Sequence, residues 1–264
     1  MIDLHMHSVY SDGSSTVEEI IDKAVELGLT QIAITDHNTI EGSILGKKIS
    51  PIEFIVGTEL SVGYHNKEVH LLGYFPHGSD YKNVNFVISE GEIYKKMATM
   101  EMIENLNAMG IDIEIGELKE FAKGIINRVH ICKVLQKKGY VSSVAEGFKN
   151  YVGNHCPAYV ERKTVDIAEA CEAIHCDGGI AVIAHPYEYD EVGDIDDFLN
   201  DIASSIDGIE CFHPSATNEQ SLHLKDIAEK NGLIITGGSD YHGENKPDIS
   251  INQMKVDDIY KISC

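Results

Sequence analysis

The chain has 264 residues, of which 43% are hydrophobic and 24% are charged, a composition that supports one sizeable hydrophobic core. Its formal net charge of −22 would repel a nucleic-acid backbone over most of the surface, so we expect no long nucleic acid as a partner. The first residues show no basic segment followed by an apolar one, and no apolar run approaches the ~20 residues that cross a bilayer. We therefore expect a cytoplasmic protein without a membrane partner.

The first third of the chain alternates short apolar runs with amphipathic helical patterns, which is typical of βα units. Strands are predicted at residues 2–4, 31–35, 54–56 and 69–74. A helix between the first two strands begins at a capping box, formed either by Ser15 with Glu18 or by Thr16 with Glu19. These elements predict an α/β fold.

Residues 80–159 change to a helical pattern without convincing strands. One apolar stripe at helical spacing predicts a long helix packed into the core; it consists of Ile93, Met97, Met100, Ile103, Leu106 and Met109. Shorter helices are predicted at residues 117–122, 129–138 and 142–151. We expect a helical insertion that forms a substrate cap, set into a barrel domain of residues 1–79 and 160–264.

The alternation of helices and strands resumes after the insertion. Helices are predicted at residues 166–176, 195–204 and 219–231, and strands at residues 179–184, 208–211 and 233–236. Polar side chains at the ends of parallel strands are where barrel enzymes build their active sites.

Nine side chains able to bind metal ions lie at or near the ends of these apolar runs. They are His5, His7, Asp12, His37, Glu59, His70, His185, Asp240 and His242. Neutral imidazoles suit zinc, iron and manganese, and carboxylate oxygens can bridge two ions. This mixture is typical of a catalytic site, whereas structural zinc sites are usually rich in cysteine.

Six motifs carry a family resemblance in their order along the chain. They are residues 5–8 (His-Met-His-Ser) with 11–13 (Ser-Asp-Gly), 34–39 (Ile-Thr-Asp-His-Asn-Thr), 57–59 (Gly-Thr-Glu), 69–74 (Val-His-Leu-Leu-Gly-Tyr), 184–186 (Ala-His-Pro) and 238–242 (Gly-Ser-Asp-Tyr-His). Together they resemble the polymerase and histidinol phosphatase (PHP) superfamily over nearly the whole chain. The resemblance implies a distorted (β/α)7 TIM-like barrel and a trinuclear centre of three divalent ions, manganese, iron or zinc. It also implies phosphoester hydrolysis.

The resemblance also implies how the ligands divide among the ions. One ion is assigned to His5, His7, Glu59 and Asp240; Glu59 bridges to a second ion held by His70 and His185; Asp12, His37 and His242 hold the third. Asp240 and His213 are candidates for proton transfer during catalysis, although a histidine that follows a strand is often structural.

Arginine is scarce in this chain, which contains only Arg128 and Arg162. A guanidinium is suited to bidentate recognition of phosphate, and the alternative is a solvated surface arginine at a helix start. The segment around Arg128 and His130 resembles the Arg-Pro-His-Ile-Ala segment of nucleotide-directed members of the superfamily, with Val129 in place of proline. A second arginine of that segment is absent here, because position 133 is lysine. We predict that Arg128 and His130 bind the substrate.

The resemblance therefore implies hydrolysis of phosphate monoesters of nucleotides, such as the 3′-phosphate of a nucleoside 3′,5′-bisphosphate. Trimming of short oligonucleotides from 5′ to 3′ is an additional expectation, and the partner is a small phosphorylated substrate. Two alternatives stay open, a histidinol-phosphate phosphatase and a degenerate metal-binding scaffold domain without activity. The sequence leaves the metal and the oligomeric state open.

Overall fold

The computed structural model describes residues 1–121, 126–254 and 262. It divides into two compact units. The barrel unit comprises Met1–Ile88 and Val165–Cys264, and the helical unit comprises Ser89–Thr164. The sequence-based boundaries at residues 79/80 and 159/160 lie several residues before these divisions. The role of the insertion as a substrate cap stays a prediction.

The barrel unit is built around one twisted sheet. Its strands are β1 (Ile2–Asp3), β2 (Gln31–Ile34), β3 (Glu53–Tyr64), β4 (Lys67–Phe75), β5 (Val165–Asp166), β6 (Ile180–Ile183), β7 (Gly208–Phe212) and β8 (Ile234–Gly237). Neighbouring strands follow the order β1-β2-β3-β4-β6-β7-β8, and β5 pairs with β3 beside this path. All pairings are parallel except those of β4, which runs antiparallel to β3 and β6.

Backbone hydrogen bonds between the two ends of this path nearly close the barrel. Leu4 N donates to Gly237 O at 3.3 Å, and His7 N donates to Tyr241 O at 2.8 Å. Beyond β8, Asp240 N donates to His5 O at 2.8 Å. Seven strands in a nearly closed ring, with β4 antiparallel to its neighbours, confirm the predicted distorted (β/α)7 barrel.

Strands β3 and β4 form a hairpin that is much longer than the sequence predicts. His65 and Asn66 join them at φ values of 44° and 64°, the left-handed pair that a tight hairpin turn requires. Because β4 runs opposite to its neighbours β3 and β6, it begins at the end of the sheet at which those strands end. This direction explains how His70, near the start of its strand, can belong to a site built at strand ends.

Helices cover the outside of the barrel sheet. They are α1 (Val17–Glu26), α2 (Glu41–Ile49), α7 (Ile167–Cys176), α8 (Ile195–Ile202) and α9 (Asn218–Asn231). Of the two capping boxes considered for α1, the one between Thr16 and Glu19 forms, with bonds of 2.8 and 3.2 Å. The sequence reading did not predict α2, which approaches the sheet closely at Gly46. A Cβ atom there would lie 2.3 Å from the ring of Phe54.

The helical unit has its own hydrophobic core. Its elements are most of α3 (Lys82–Ala108), α4 (Ile115–Leu118), α5 (Arg128–Lys137), α6 (Val144–Gly147) and a π-helical turn at Phe148–Val152. Buried residues of this core include Leu106, Leu118 and Leu135. The helix predicted at 117–122 is the single turn α4 followed by non-helical turns, and residue 122 lies outside the described residues.

The predicted core stripe on α3 is wrong for most of its length. Ile103 and Leu106 are buried, as expected, but four members of the stripe are 45–58% exposed: Ile93, Met97, Met100 and Met109. The buried face instead carries Ala98 and Met102 beside Ile103 and Leu106, so the stripe follows a face rotated away from the core. Neither α3 nor any other helix in the described part of the chain is long and apolar enough to span a membrane.

Candidate metal centre

All nine predicted metal ligands lie in the barrel unit and at one end of its sheet. They follow β1 (His5, His7, Asp12), β2 (His37), β6 (His185) and β8 (Asp240, His242), or lie within β3 (Glu59) and β4 (His70). The intervening Met6 is fully buried in a separate apolar cluster. Because successive side chains of an extended segment point to opposite sides, His5 and His7 share the polar side.

Four ligand atoms converge in a first group. Nε2 of His7 lies 3.1 Å from Glu59 Oε2 and 3.2 Å from Asp240 Oδ1. Nε2 of His5 lies 3.2 and 3.5 Å from the same two oxygens and 3.1 Å from Nε2 of His7. Two imidazole nitrogens and two carboxylate oxygens therefore face one small volume.

The second oxygen of Glu59 faces a second group. Glu59 Oε1 lies 2.9 Å from His70 Nδ1 and 2.9 Å from His185 Nε2. The carboxylate is fully buried, so neither oxygen can satisfy its charge through solvent. One side chain thus presents one oxygen to each group, which is the arrangement that a bridging carboxylate needs.

A third group lies at a more open position. Asp12 Oδ1 is 3.2 Å from His242 Nε2, and Asp12 Oδ2 is 3.9 Å from His37 Nε2. The side chain of Asp12 is 57% exposed. The groups are not fully separate, since His7 also lies within ligand-sharing distance of these three residues and His37 lies within such distance of Glu59 and His70. The division of ligands among ions stays a prediction.

Burial and mutual charge shift the titration of the centre strongly. Burial alone would raise the pKa of Glu59, but the surrounding histidines hold it well below its usual value. Burial would lower the pKa of His70, but Glu59 raises it to about 10. For His37, burial and the neighbouring histidines outweigh Glu59 and lower the pKa to about 4. Such opposed shifts within one cleft are typical of functional sites.

The donor set fits divalent cations, as unpaired buried atoms and strained backbone indicate. Nδ1 of His37, His70 and His185 and Nε2 of His213 are buried and form no hydrogen bond among the described residues, although each lies within 3.5 Å of a carboxylate oxygen. Buried polar atoms without a partner are rare and costly. His185 and Asp240 also adopt φ values of 25° and 53°, which are unfavourable for residues other than glycine. Local strain of this kind concentrates at functional sites.

Glu210 is a residue of the site that the sequence reading missed. It is fully buried in β7, and its Oε1 lies 2.9 Å from His5 Nδ1. Its Oε2 accepts the backbone N–H of His185 at 2.8 Å. A carboxylate on the second nitrogen of a metal-ligating histidine fixes the ring orientation and tautomer. The sequence feature that could have identified Glu210 is a single acidic residue within an apolar predicted strand.

Asp36 is a second buried support that received no role from the sequence. Its carboxylate accepts the backbone N–H of Ser8 and the hydroxyls of Ser8 and Ser11, each at 2.7 Å. These bonds fix the segment between His7 and Asp12. Asp36 therefore positions His7 and Asp12 through its hydrogen bonds to the two serines between them.

His213, predicted for proton transfer, also lies at the centre. Its Nε2 is 3.5 Å from Asp240 Oδ2, and its Nδ1 lies 2.7 Å from the hydroxyl of Ser215. With His5 and Asp240 it forms a further set of side chains that could hold an ion. The proton-transfer role stays a prediction.

The two predicted substrate-binding residues lie in the helical unit, at the start of α5. Nη1 of Arg128 donates to Val152 O at 3.3 Å and to Asn154 Oδ1 at 3.1 Å. The guanidinium also lies over two aromatic rings, 5.6 Å from the centre of Phe148 and 5.5 Å from that of Tyr159.

His130 closes the capping box of α5, because its Nδ1 accepts the backbone N–H of Asn127 at 3.0 Å. Both substrate-binding candidates therefore have structural partners inside their own unit. Substrate binding by Arg128 and His130 stays a prediction.

Comparison with known proteins identifies relatives along nearly the whole chain. A 5′-3′ exoribonuclease of Haemophilus influenzae is 33% identical over 91% of this chain and 89% of its own. A 3′,5′-nucleoside bisphosphate phosphatase of Chromobacterium violaceum is 29% identical over 94% and 90%. A phosphoribosyl 1,2-cyclic phosphate 1,2-diphosphodiesterase of Eggerthella lenta is 28% identical over 92% and 94%.

The fold has solved counterparts as well. The crystal structure of a proposed metal-dependent phosphoesterase from Bifidobacterium adolescentis superposes with a TM-score of 0.74 at 26% identity, covering 96% of this chain and 91% of the other. The PHP domain matches residues 3–207, which carry seven of the nine predicted ligands and strands β2 to β6. The chain therefore belongs to the PHP domain family and is a metal-dependent phosphoesterase.

Proposed function

We propose that the enzyme hydrolyses a phosphate monoester of a nucleotide, such as the 3′-phosphate of a nucleoside 3′,5′-bisphosphate, at a centre of three divalent ions. The observation that carries this proposal is Glu59, whose two oxygens face two neighbouring groups of ligand atoms. Divalent ions held there would supply Lewis acidity and would lower the pKa of a water able to attack phosphorus. Manganese, iron and zinc all suit this mixture of imidazole and carboxylate.

The side chains have distinct tasks in this proposal. His5, His7, Asp240 and Glu59 would hold one ion, and His70 and His185 would hold a second together with Glu59. Asp12, His37 and His242 form the third position, where the exposed Asp12 leaves the site open to substrate. The short distances within each set support these assignments.

Proton transfer is assigned to Asp240 and His213. Asp240 Oδ1 faces the first group, whereas Oδ2 faces His213 Nε2 at 3.5 Å. Oδ2, which Lys246 Nζ also contacts at 2.5 Å, is the oxygen proposed to exchange a proton with a reacting group while Oδ1 holds its position. Arg128 and His130 are proposed to bind the nucleotide, because a guanidinium suits phosphate recognition.

The relatives support a nucleotide substrate. The Chromobacterium violaceum relative acts, by its name, on nucleoside bisphosphates, and the Haemophilus influenzae relative is an exoribonuclease. Trimming of short oligonucleotides is therefore proposed as a second activity of the same centre. We keep the expectation that the chain, with its charge of −22, acts in the cytoplasm on small substrates and not on long nucleic acid.

A phosphate-release assay on the metal-reconstituted protein tests the proposal. Adenosine 3′,5′-bisphosphate, histidinol phosphate and a short 5′-phosphorylated oligoribonucleotide are compared at equal concentration. We expect the largest kcat/KM for the bisphosphate, measurable trimming of the oligonucleotide and loss of both after chelation. A preference for histidinol phosphate would show that the proposed nucleotide substrate is wrong. Activity that survives complete metal removal would contradict the proposed mechanism.

A further inference from the structure

Lys246 lies beside the metal centre at a position to which the sequence reading gave no role. Its Nζ is 2.5 Å from Oδ2 of Asp240. The other oxygen of that carboxylate, Oδ1, lies 3.2 Å from His7 Nε2. A single carboxylate therefore separates the ammonium group of Lys246 from the ligand atoms of the first group.

The ammonium group of Lys246 lies between solvent and the buried carboxylate of Asp240. The side chain of Lys246 is 44% exposed, whereas that of Asp240 is 7% exposed. An ammonium has three N–H donors, and the contact with Asp240 occupies one direction. The exposed side of the group can therefore meet an anion that approaches the centre from solvent.

The backbone of Lys246 is fixed relative to the centre. Its N–H donates to Gly243 O at 3.2 Å, which closes a short helical turn. In the same turn, Asn245 Nδ2 donates to the carbonyl oxygen of Asp12 at 2.7 Å. The segment with the lysine is thus tied to the loop of a predicted ligand, so the ammonium is held near the centre before substrate arrives.

We propose that Lys246 is a phosphate-binding residue, and that its ammonium binds an oxygen of the reacting phosphate group while it remains next to Asp240. Lysine binds phosphate as a compact point charge. A divalent ion held by Asp240 would offset part of the negative charge of the carboxylate and would leave more of the lysine's charge for an incoming anion. The inference rests on the proposed function and adds a contact to the substrate at the same site.

The alternative role is that of a counter-ion, in which Lys246 only neutralises Asp240. The two roles predict different results for Lys246→Met and Lys246→Arg. Lys67→Met is the matched control, because Lys67 lies in the same unit and pairs with the exposed Glu191 at 3.1 Å. The measurements are the Kd of inorganic phosphate for the manganese-loaded protein, by titration calorimetry, and the metal content, by mass spectrometry.

If Lys246 binds phosphate, Lys246→Met weakens phosphate binding about ten- to hundred-fold, the usual effect of losing a hydrogen bond to a charged group. Its metal content stays that of the wild type. Lys246→Arg keeps most of the affinity, and Lys67→Met changes nothing. The same loss appears as a raised KM for a phosphate monoester.

Unchanged phosphate affinity in Lys246→Met overturns the inference, and so does an affinity loss that occurs only together with metal loss. Phosphate binding is measured without turnover, so the proposed substrate is tested separately. A protein that binds phosphate through Lys246 but hydrolyses no nucleotide would refute the proposed function and support this inference.

Discussion

The barrel unit and the helical unit differ in whether their buried polar side-chain atoms form hydrogen bonds. In the barrel unit, buried nitrogens of His37, His70, His185 and His213 face carboxylate oxygens but form no hydrogen bond. Within the described residues of the helical unit no such atom occurs. There, Arg128 donates to Asn154 and stacks on aromatic rings.

This difference shows which part of the protein is incomplete without a ligand. A buried polar atom that forms no hydrogen bond destabilises the fold unless a ligand supplies the missing interaction. The buried histidines of the barrel unit therefore indicate where a ligand binds. The helical unit satisfies its polar groups internally, and a substrate role for its residues must be tested by mutation. The predictions below test each side of this comparison, from the largest effect to the smallest.

Replacement of Glu59 by glutamine should have the largest effect. The amide removes the charge that faces both groups, so we expect lower metal content and kcat/KM reduced more than about 100-fold, beyond the range for losing a supporting partner. Metal analysis and steady-state kinetics measure the two effects. Glu191→Gln, on the surface of the same unit, should leave both unchanged. Wild-type metal content in Glu59→Gln would show that this carboxylate holds no ion.

Glu210→Gln should weaken metal binding without removing a ligand. The neutral amide holds the ring of His5 less firmly, so we expect a loss of metal affinity of about 10- to 100-fold. Competition with a chromogenic chelator measures this affinity, and Glu229→Gln on α9 is the control. Equal metal affinities of Glu210→Gln and the wild type would show that Glu210 does not support metal binding.

Arg128→Met tests whether the helical unit contributes to substrate binding. We expect about a tenfold higher KM for the nucleotide, together with a free energy of unfolding lower by about 1–2 kcal/mol from the lost stacking and hydrogen bonds. Arg162→Met, the other arginine, should keep the wild-type KM. If Arg128→Met loses stability but keeps the wild-type KM, the role of this arginine is structural only.

Metal binding at neutral pH should release protons from His70. Its pKa of about 10 in the ion-free protein exceeds the ordinary value of about 6.5, so the ring is protonated at pH 7. Its pairing with Glu59 stabilises the ion-free fold fully below about pH 6.5 and is lost as pH rises through about 10. Since a metal ion requires the neutral imidazole, affinity should rise with pH.

Calorimetry in two buffers of different ionisation enthalpy counts the released protons. His70→Asn should release fewer protons than wild type. His175→Asn, at a surface histidine that pairs with Asp207, should release the same number. Identical proton release from His70→Asn and wild type would contradict the charged state inferred for this residue.

The sequence predicted most of the barrel because its strands are short apolar runs between clear helical patterns. Helix α2 was not predicted because it contains two glycines and its start has no side-chain cap, so its helix propensity is low. It forms because Gly46 permits close packing on Phe54. The stripe on α3 failed because periodicity alone does not tell which face meets a core.

In the candidate site, too, the sequence predicted the residues that lie in recognisable motifs and missed those whose role depends on tertiary contacts. Ligand candidates such as Glu59 and Asp240 stood out because polar residues follow apolar runs in recognisable motifs. Glu210 lies between Ile209 and Cys211, where a single acid could equally face solvent. Lys246 is one of many lysines, and its pairing with Asp240 depends on a turn that no local pattern specifies.

The most direct test of the metal centre is a crystal structure of manganese-loaded protein with anomalous scattering data. We predict three anomalous peaks at the centre, two of them on opposite sides of the Glu59 carboxylate and the third between Asp12 and His242. Absence of any peak beside Glu59, in crystals of protein shown to hydrolyse a nucleotide phosphate, would contradict the account.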